Sequence, residues 1–198
     1  MPRRHRKGRK EKETDDIPRE ALKKRNLYEN SIVIITSDHA FPLGLHGNYH
    51  LEAGYHDDSF RIPFFMTYPK NIAPQTITRP FSQMDINPTI LDILSITPTQ
   101  SHFIGTSILD TSDTVHPIFL VQPYAKHFSV IRYPYKYRFF AKTETEYIYH
   151  LLDDPLETRS ITHKIDATLL QSFRSDLKRM YTSHAHVIHN QIRPPQSY

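Results

Sequence analysis

The stretch that decides the fold is SIVIITSDHAFPLGLHG, residues 31–47, in which an apolar run leads into an acidic residue and a histidine. Four consecutive Ile and Val residues, 32–35, are typical of an interior strand of a parallel sheet. Ligands of open α/β sheets gather beyond the carboxyl ends of such strands, where Asp38 and His39 follow. A carboxylate beside an imidazole suits a divalent metal. The same pair can equally be a turn cap and an ordinary loop histidine, and the spacing leaves both interpretations open.

The composition is that of a folded protein without disulfides. The 198 residues are 38% hydrophobic and include no cysteine, which excludes disulfide bonds, thiolate metal sites and a cysteine nucleophile within the chain. No apolar stretch reaches the roughly 18–20 residues that a transmembrane helix needs. The basic first residues are not followed by an apolar segment, so we expect no signal peptide in this chain. These observations leave the compartment unknown.

The net charge of +4 comes from the N-terminal end of the chain. Residues 1–13 hold seven Lys or Arg and two Glu, and the rest is close to neutral. Such a run can contact nucleic acid or anionic lipid through counterion release. A short charge run is more often a solvated, disordered end, and we expect no nucleic-acid partner.

The periodicity of the sequence predicts an α/β protein. A helix is expected over 18–26, strands over 31–36 and 62–68, and a second helix from near Asp85. Strand-like runs at 115–122, 128–133, 135–141 and 146–152 predict a small antiparallel sheet. A packing helix over 167–181 follows, capped by Asp166.

Four regions follow from these predicted elements. They are a disordered basic tail over 1–16, part of an α/β domain over 17–110, the antiparallel sheet plus helix over 111–182, and a flexible tail over 183–198.

Several motifs, in this order, resemble the C-terminal half of a sulfatase, within the alkaline phosphatase superfamily. LYENSIVIITSDH (27–39) resembles the strand that ends in Ser-Asp-His-Gly, and PLGLHG (42–47) resembles its continuation. The other motifs are YHDDSFRIPFFMTYP (55–69), SQMDINPTILDILSI (82–96), GTSIL (105–109) and YIYHLLDDPLETRSI (147–161). Lipoteichoic acid synthases and phosphoethanolamine transferases share this framework, and the loop after residue 46 leans toward the lipoteichoic-acid-synthase-like group.

The resemblance implies a partial alkaline-phosphatase-like sheet and a metal-dependent hydrolase or transferase that acts on sulfuric or phosphoric esters. It implies that Asp38 and His39 ligate a divalent metal, most usually Ca²⁺, with Mn²⁺ or Zn²⁺ also possible. His46 would support the site from a second shell, and His50 would contact the transferred group. Each of these two histidines can equally be an exposed loop residue. For Arg61 and Asp85 a salt-bridge or capping role is expected.

Three departures from the family pattern bear on activity. Ala40 replaces the usual Gly after Asp-His, and Leu51 stands where many sulfatases carry a Lys, with His50 adjacent. The Cys/Ser-x-Pro-x-Arg nucleophile motif and the first acidic ligand pair of the family do not occur in this sequence. We therefore expect a fragment that is inactive alone. The alternative is a non-catalytic remnant or an interaction protein with a basic tail.

Overall fold

A computed structural model describes residues 16–47, 49–50, 55–98, 103–112, 116–122 and 127–191, with side chains only between 19 and 182. Leu51, the predicted basic tail up to residue 15, and residues 192–198 lie outside the described residues. The elements are α1 (Asp16–Lys24), β1 (Val33–Thr36), β2 (Phe64–Thr67), α2 (Ile86–Ile93), β3 (Ile118–Gln122), β4 (His127–Arg132), β5 (Tyr135–Phe140), β6 (Thr145–His150) and α3 (Ala167–Gln191). The predicted α/β class is confirmed.

The chain divides into two compact units, of which the first comprises the described residues of Met1–Ser37 together with Pro63–Thr76. Its strands β1 and β2 pair antiparallel, with Val33 opposite Thr67. The apolar run of β1 is typical of a parallel sheet, but this pair is antiparallel. An apolar run indicates burial but not strand direction, which depends on how the chain returns to the sheet. The buried Tyr28 lies beside the strand pair of β1 and β2, and its hydroxyl is 3.4 Å from Thr67 Oγ1 on β2.

The second unit comprises Asp38–Ile62 and Ile77–Tyr198. It contains the predicted antiparallel sheet, in the order β3-β4-β5-β6. Helix α3 packs on this sheet, and the core cluster consists of Val130, Tyr137, Ile148 and Phe173. Asp166 caps α3 as predicted, because its carboxylate accepts the Thr168 N–H at 2.8 Å. The helix extends beyond its predicted end at residue 181, to Gln191.

A capping box opens the 3-10 turn Gln83–Asp85 that leads into α2, and it confirms a capping role for Asp85. The Asp85 carboxylate accepts the Ser82 N–H at 2.7 Å, and the Ser82 hydroxyl accepts the Met84 N–H at 3.2 Å. The other Asp85 oxygen accepts the Thr106 N–H at 2.9 Å and so joins the next loop to the start of the helix. Within the described residues, no helix is both long enough and apolar enough to span a membrane.

Candidate functional site

The Asp38–His39 pair begins the loop that follows β1, and both side chains are exposed, Asp38 by 87% and His39 by 56%. His39 Nδ1 lies 2.8 Å from the Ala40 carbonyl oxygen, which can only accept, so Nδ1 carries the hydrogen. In that tautomer the lone pair is on Nε2, 3.8 Å from Asp38 Oδ2. Two ligands that each lie about 2.1 Å from one cation can have this separation.

Local hydrogen bonds hold the turn that carries this pair. Asp38 Oδ1 accepts the His39 N–H at 3.0 Å, and the Gln83 side-chain amide donates to the Asp38 carbonyl at 3.2 Å. A carboxylate and an imidazole together suit Mn²⁺ or Zn²⁺, whereas Ca²⁺ prefers six to eight oxygens. The pair therefore fits two positions around a divalent metal, and two ligands do not complete the coordination of any of these ions.

A second group of metal-ligating side chains lies in the loop after the pair. In the part of the chain that the structure describes, the one cluster of three or more such side chains consists of His46, His56 and Asp58. One ligand atom from each lies within 4.8 Å of the others, and all three residues are half-buried. The structure thus places His46 with His56 and Asp58, and it leaves Asp38, His39 and the exposed His50 outside this cluster.

Each side of the His46 imidazole faces an oxygen. Nε2 lies 2.7 Å from the Leu156 carbonyl, and Nδ1 lies 3.4 Å from Asp58 Oδ2. The His56 ring stacks on the His46 ring at 3.6 Å between centroids and 7° between planes. The pKa of His56 is lowered to about 4, mainly by burial and then by the positive charges of Arg138 and its neighbours. His56 is therefore a neutral imidazole at pH 7.

A buried charge network lies next to this cluster. Lys136 on β5 is fully buried, and its ammonium donates to Asp57 Oδ1 at 2.8 Å and to Glu157 Oε1 at 2.9 Å. Arg138, two residues along the strand, lies 3.6 Å from the other Glu157 oxygen, and its guanidinium lies over the Tyr55 ring at 4.3 Å. The two carboxylates offset the two cations, which makes their burial tolerable.

Leu156 and Glu157 hold the loop of the metal-ligating cluster at two points. The Leu156 carbonyl accepts from His46, and the Glu157 carboxylate accepts the Asp57 N–H at 2.7 Å. Asp154 fixes the turn that carries both residues, since it accepts the Thr158 N–H at 3.1 Å and the Arg159 N–H at 2.7 Å. This Asp-Pro turn therefore has a structural role, and it also reaches the loop of residues 46–58.

Sequence reasoning missed His56 and Asp58 as candidate ligands. A signal is present in YHDDSF, since a histidine and two acidic residues stand together there, but the resemblance gives this motif no metal-ligating role. The role of Lys136 had no such signal, because a lysine in the strand sequence YKYRFF resembles the solvent-facing residue of an alternating strand.

Comparison with known proteins identifies the first part of the chain. Residues 19–96, which include Asp38, His39 and the cluster of His46, His56 and Asp58, match the family model for sulfatases. This stretch of the chain is therefore similar to part of a sulfatase domain. We call residues 19–96 the sulfatase-family segment.

Individual relatives agree with this assignment. Arylsulfatase K of the dog, Canis lupus familiaris, is 35% identical over 92 residues, which are 46% of this chain and 17% of that protein. A 2-O GAG sulfatase of known structure is 19% identical with a TM-score of 0.66, over 88% of this chain and 41% of that chain. A protein solved with its substrate D-glucosamine-2-N,6-O-disulfate is 21% identical with a TM-score of 0.65. The superposition covers 87% of this chain and 38% of that chain.

The two superpositions show that the fold extends beyond the sulfatase-family segment into the antiparallel sheet. Each covers more than four fifths of this chain, whereas the segment ends at residue 96. The partial alkaline-phosphatase-like fold is thereby confirmed. The chain spans less than half the length of each of these relatives.

Proposed function

We propose that this chain supplies the C-terminal portion of a metal-dependent sulfatase-like hydrolase or transferase acting on sulfuric or phosphoric esters. The observation that carries the proposal is the position of Asp38 and His39. They follow β1 inside the sulfatase-family segment, with an oxygen and a nitrogen 3.8 Å apart. By family resemblance these two residues are metal ligands.

The role of this chain's own residues in such a site is to hold and orient. Asp38 would provide a carboxylate oxygen and His39 its Nε2, while the Nδ1–H bond to the Ala40 carbonyl keeps the imidazole in the tautomer that binds a metal. A bound divalent metal would act as a Lewis acid that polarises the ester oxygens. His50, on the same loop, is the proposed contact to the transferred group.

The likeness to known sulfatases favours sulfuric esters as the substrate class. The curated relative is an arylsulfatase, and one of the superposed structures holds a sulfated glucosamine as its substrate. We therefore propose a sulfated organic ester, with a phosphoric ester as the second candidate. The nucleophile motif of the family is not in this sequence, so we propose that the chain alone has negligible turnover.

An ester-hydrolysis assay tests the proposal. The purified chain is incubated with aryl sulfate and aryl phosphate esters in the presence of Ca²⁺, Mn²⁺ or Zn²⁺, in parallel with Asp38→Ala and His39→Ala variants. We expect no turnover above the variants with any metal. Metal-dependent turnover that survives both substitutions contradicts the ligand assignment and the family mechanism together.

A further inference from the structure

Local structure holds His46, one member of the cluster of His46, His56 and Asp58, in place before any ligand binds. His46 lies in a turn closed by the Gly47 N–H, which donates to the Gly44 carbonyl at 3.0 Å. Both glycines have a positive φ, 86° at Gly44 and 69° at Gly47, which residues with a Cβ adopt only with strain. The turn therefore fixes the direction in which the chain presents His46.

The surroundings of His46 favour a cation between its ring and the Asp58 carboxylate. The Leu156 carbonyl can only accept, so Nε2, 2.7 Å away, is the nitrogen that donates. In a neutral ring Nδ1 then carries the lone pair, and it faces the carboxylate oxygen of Asp58 at 3.4 Å. Two acceptors at this distance repel, and a metal cation between them would remove that repulsion. Histidines that bind metals commonly donate their other N–H to a backbone carbonyl, as His46 does.

The donor set suits zinc, and the distance between two of its members matches a zinc site. Two imidazoles and one carboxylate are a common set of protein ligands for Zn²⁺, and a fourth position remains for water or a bound group. Tetrahedral ligands about 2.0–2.1 Å from zinc lie about 3.3–3.4 Å from one another, and the His46 Nδ1 to Asp58 Oδ2 distance is 3.4 Å. The side chains of His46 and Asp58 are 15% and 13% exposed, so both are largely withdrawn from solvent.

The neighbouring cations do not neutralise Asp58. Lys136 pairs with Asp57 and Glu157, and Arg138 lies against Glu157. Asp58 is instead directed at His46, and its other oxygen is 3.4 Å from the Ser59 hydroxyl. The carboxylate is thus largely withdrawn from water and faces the two imidazoles.

We propose that His46, His56 and Asp58 form a binding site for a transition-metal cation of the zinc type, separate from the Asp38–His39 pair. A metal lies in the plane of each imidazole that binds it, whereas the two rings are now stacked 3.6 Å apart. Binding must therefore turn one ring, and we expect this to be His56, since His46 is held through Nε2. The proposal does not depend on the function proposed above.

Cobalt binding tests the site, because tetrahedral Co²⁺ absorbs strongly in the visible range. The full chain is used with His184, His186 and His189 replaced by Ala, which removes the histidines near the C-terminal end of α3. We expect one tetrahedral Co²⁺ per chain, displaced by Zn²⁺. His56→Ala and Asp58→Asn should weaken binding at least tenfold. Removal of the exposed His163 is the matched control and should leave the affinity unchanged.

The Asp38→Ala/His39→Ala double variant separates this inference from the proposed function. We expect it to keep the tetrahedral Co²⁺ spectrum. Absence of that spectrum in the parent chain, or binding unaffected by His56→Ala, overturns the inference and leaves the Asp38–His39 proposal standing. Should Asp58→Asn not fold, imidazole ¹⁵N NMR of the parent chain decides the question. Zn²⁺ must then shift the ring nitrogens of His46 and His56, and unchanged resonances contradict the site.

Discussion

The Glu157 carboxylate accepts a hydrogen bond from the Asp57 backbone N–H at 2.7 Å, although the two residues are 100 positions apart in the sequence. The same oxygen accepts from the buried ammonium of Lys136 at 2.9 Å. One side chain in the turn after the antiparallel sheet thus neutralises a buried cation and holds the loop that contains His56 and Asp58. This relationship connects the fold of the second unit to its candidate metal site.

Replacing Glu157 with Gln should destabilise the protein by about 3 kcal/mol, because a buried cation then loses one of its two counter-charges. Urea denaturation followed by circular dichroism measures the loss. Glu144→Gln is the matched control, because Glu144 has a nearly identical backbone conformation, φ 54° against 53°, but is exposed. Its effect should stay within about 0.5 kcal/mol. Equal effects of the two substitutions would show that the buried ion pairs contribute nothing specific.

Asp154 should give the protein a pH-dependent stability. Burial acts to raise the pKa of Asp154, but hydrogen bonds from Arg159 and Thr158 outweigh it and lower this pKa overall. A carboxylate with a lowered pKa stabilises the fold above its unfolded value, about 3.9, and this contribution is lost as the pH falls through the folded value.

Asp154→Asn measures this contribution. At pH 7 the substitution should lower the unfolding free energy by about 1–2 kcal/mol, since it removes charge-assisted hydrogen bonds. The difference from the parent should shrink as the pH falls below about 3.9, where Asp154 is protonated first in the unfolded chain and then, at its lowered pKa, in the folded one. Denaturation curves at a series of pH values check this. A stability difference that stays constant between pH 7 and pH 3 would contradict the lowered pKa of Asp154. Asp153→Asn, at the exposed neighbouring residue, is the control.

The packing of α3 on the sheet depends on Phe173. This side chain is fully buried in the core cluster, and its ring stacks on that of Tyr137 at 5.6 Å between centroids. Phe173→Ala should cost about 3–5 kcal/mol of stability through lost burial and a cavity. Tyr181→Ala, on the same helix but 66% exposed, should change it by less than about 0.5 kcal/mol. Thermal melts of both variants test the packing, and a similar small shift for the two would contradict it.

The features that could be predicted from the sequence are those determined by near neighbours. Asp85 and Asp166 cap helices through backbone groups within three residues of them, and the spacing of acidic and apolar residues indicates this directly. The antiparallel sheet followed from four short β-like runs separated by turn residues. The Asp38–His39 pair stood out because it follows an apolar strand.

The rest of the site depends on contacts between distant residues. Lys136 reaches Asp57, 79 positions away, and His46 reaches the Leu156 carbonyl, 110 positions away. Nothing near these residues indicates such partners, since a lysine in a short strand is usually solvated and a backbone carbonyl has no signature in the sequence. The direction of β2 relative to β1 could not be predicted for a similar reason, because it depends on the path of the intervening loop.

The central claim, that Asp38 and His39 are metal ligands of a sulfatase-like site, is tested most directly by titration calorimetry with Mn²⁺. The full chain carries Asp58→Asn and Ala at His184, His186 and His189, so that the cluster in the loop and the histidines of α3 do not contribute. We predict weak binding of one Mn²⁺, because two side chains supply only part of a coordination sphere. Adding Asp38→Ala should abolish this binding, whereas adding Asp153→Asn should not. Mn²⁺ binding that persists unchanged after Asp38→Ala would contradict the account.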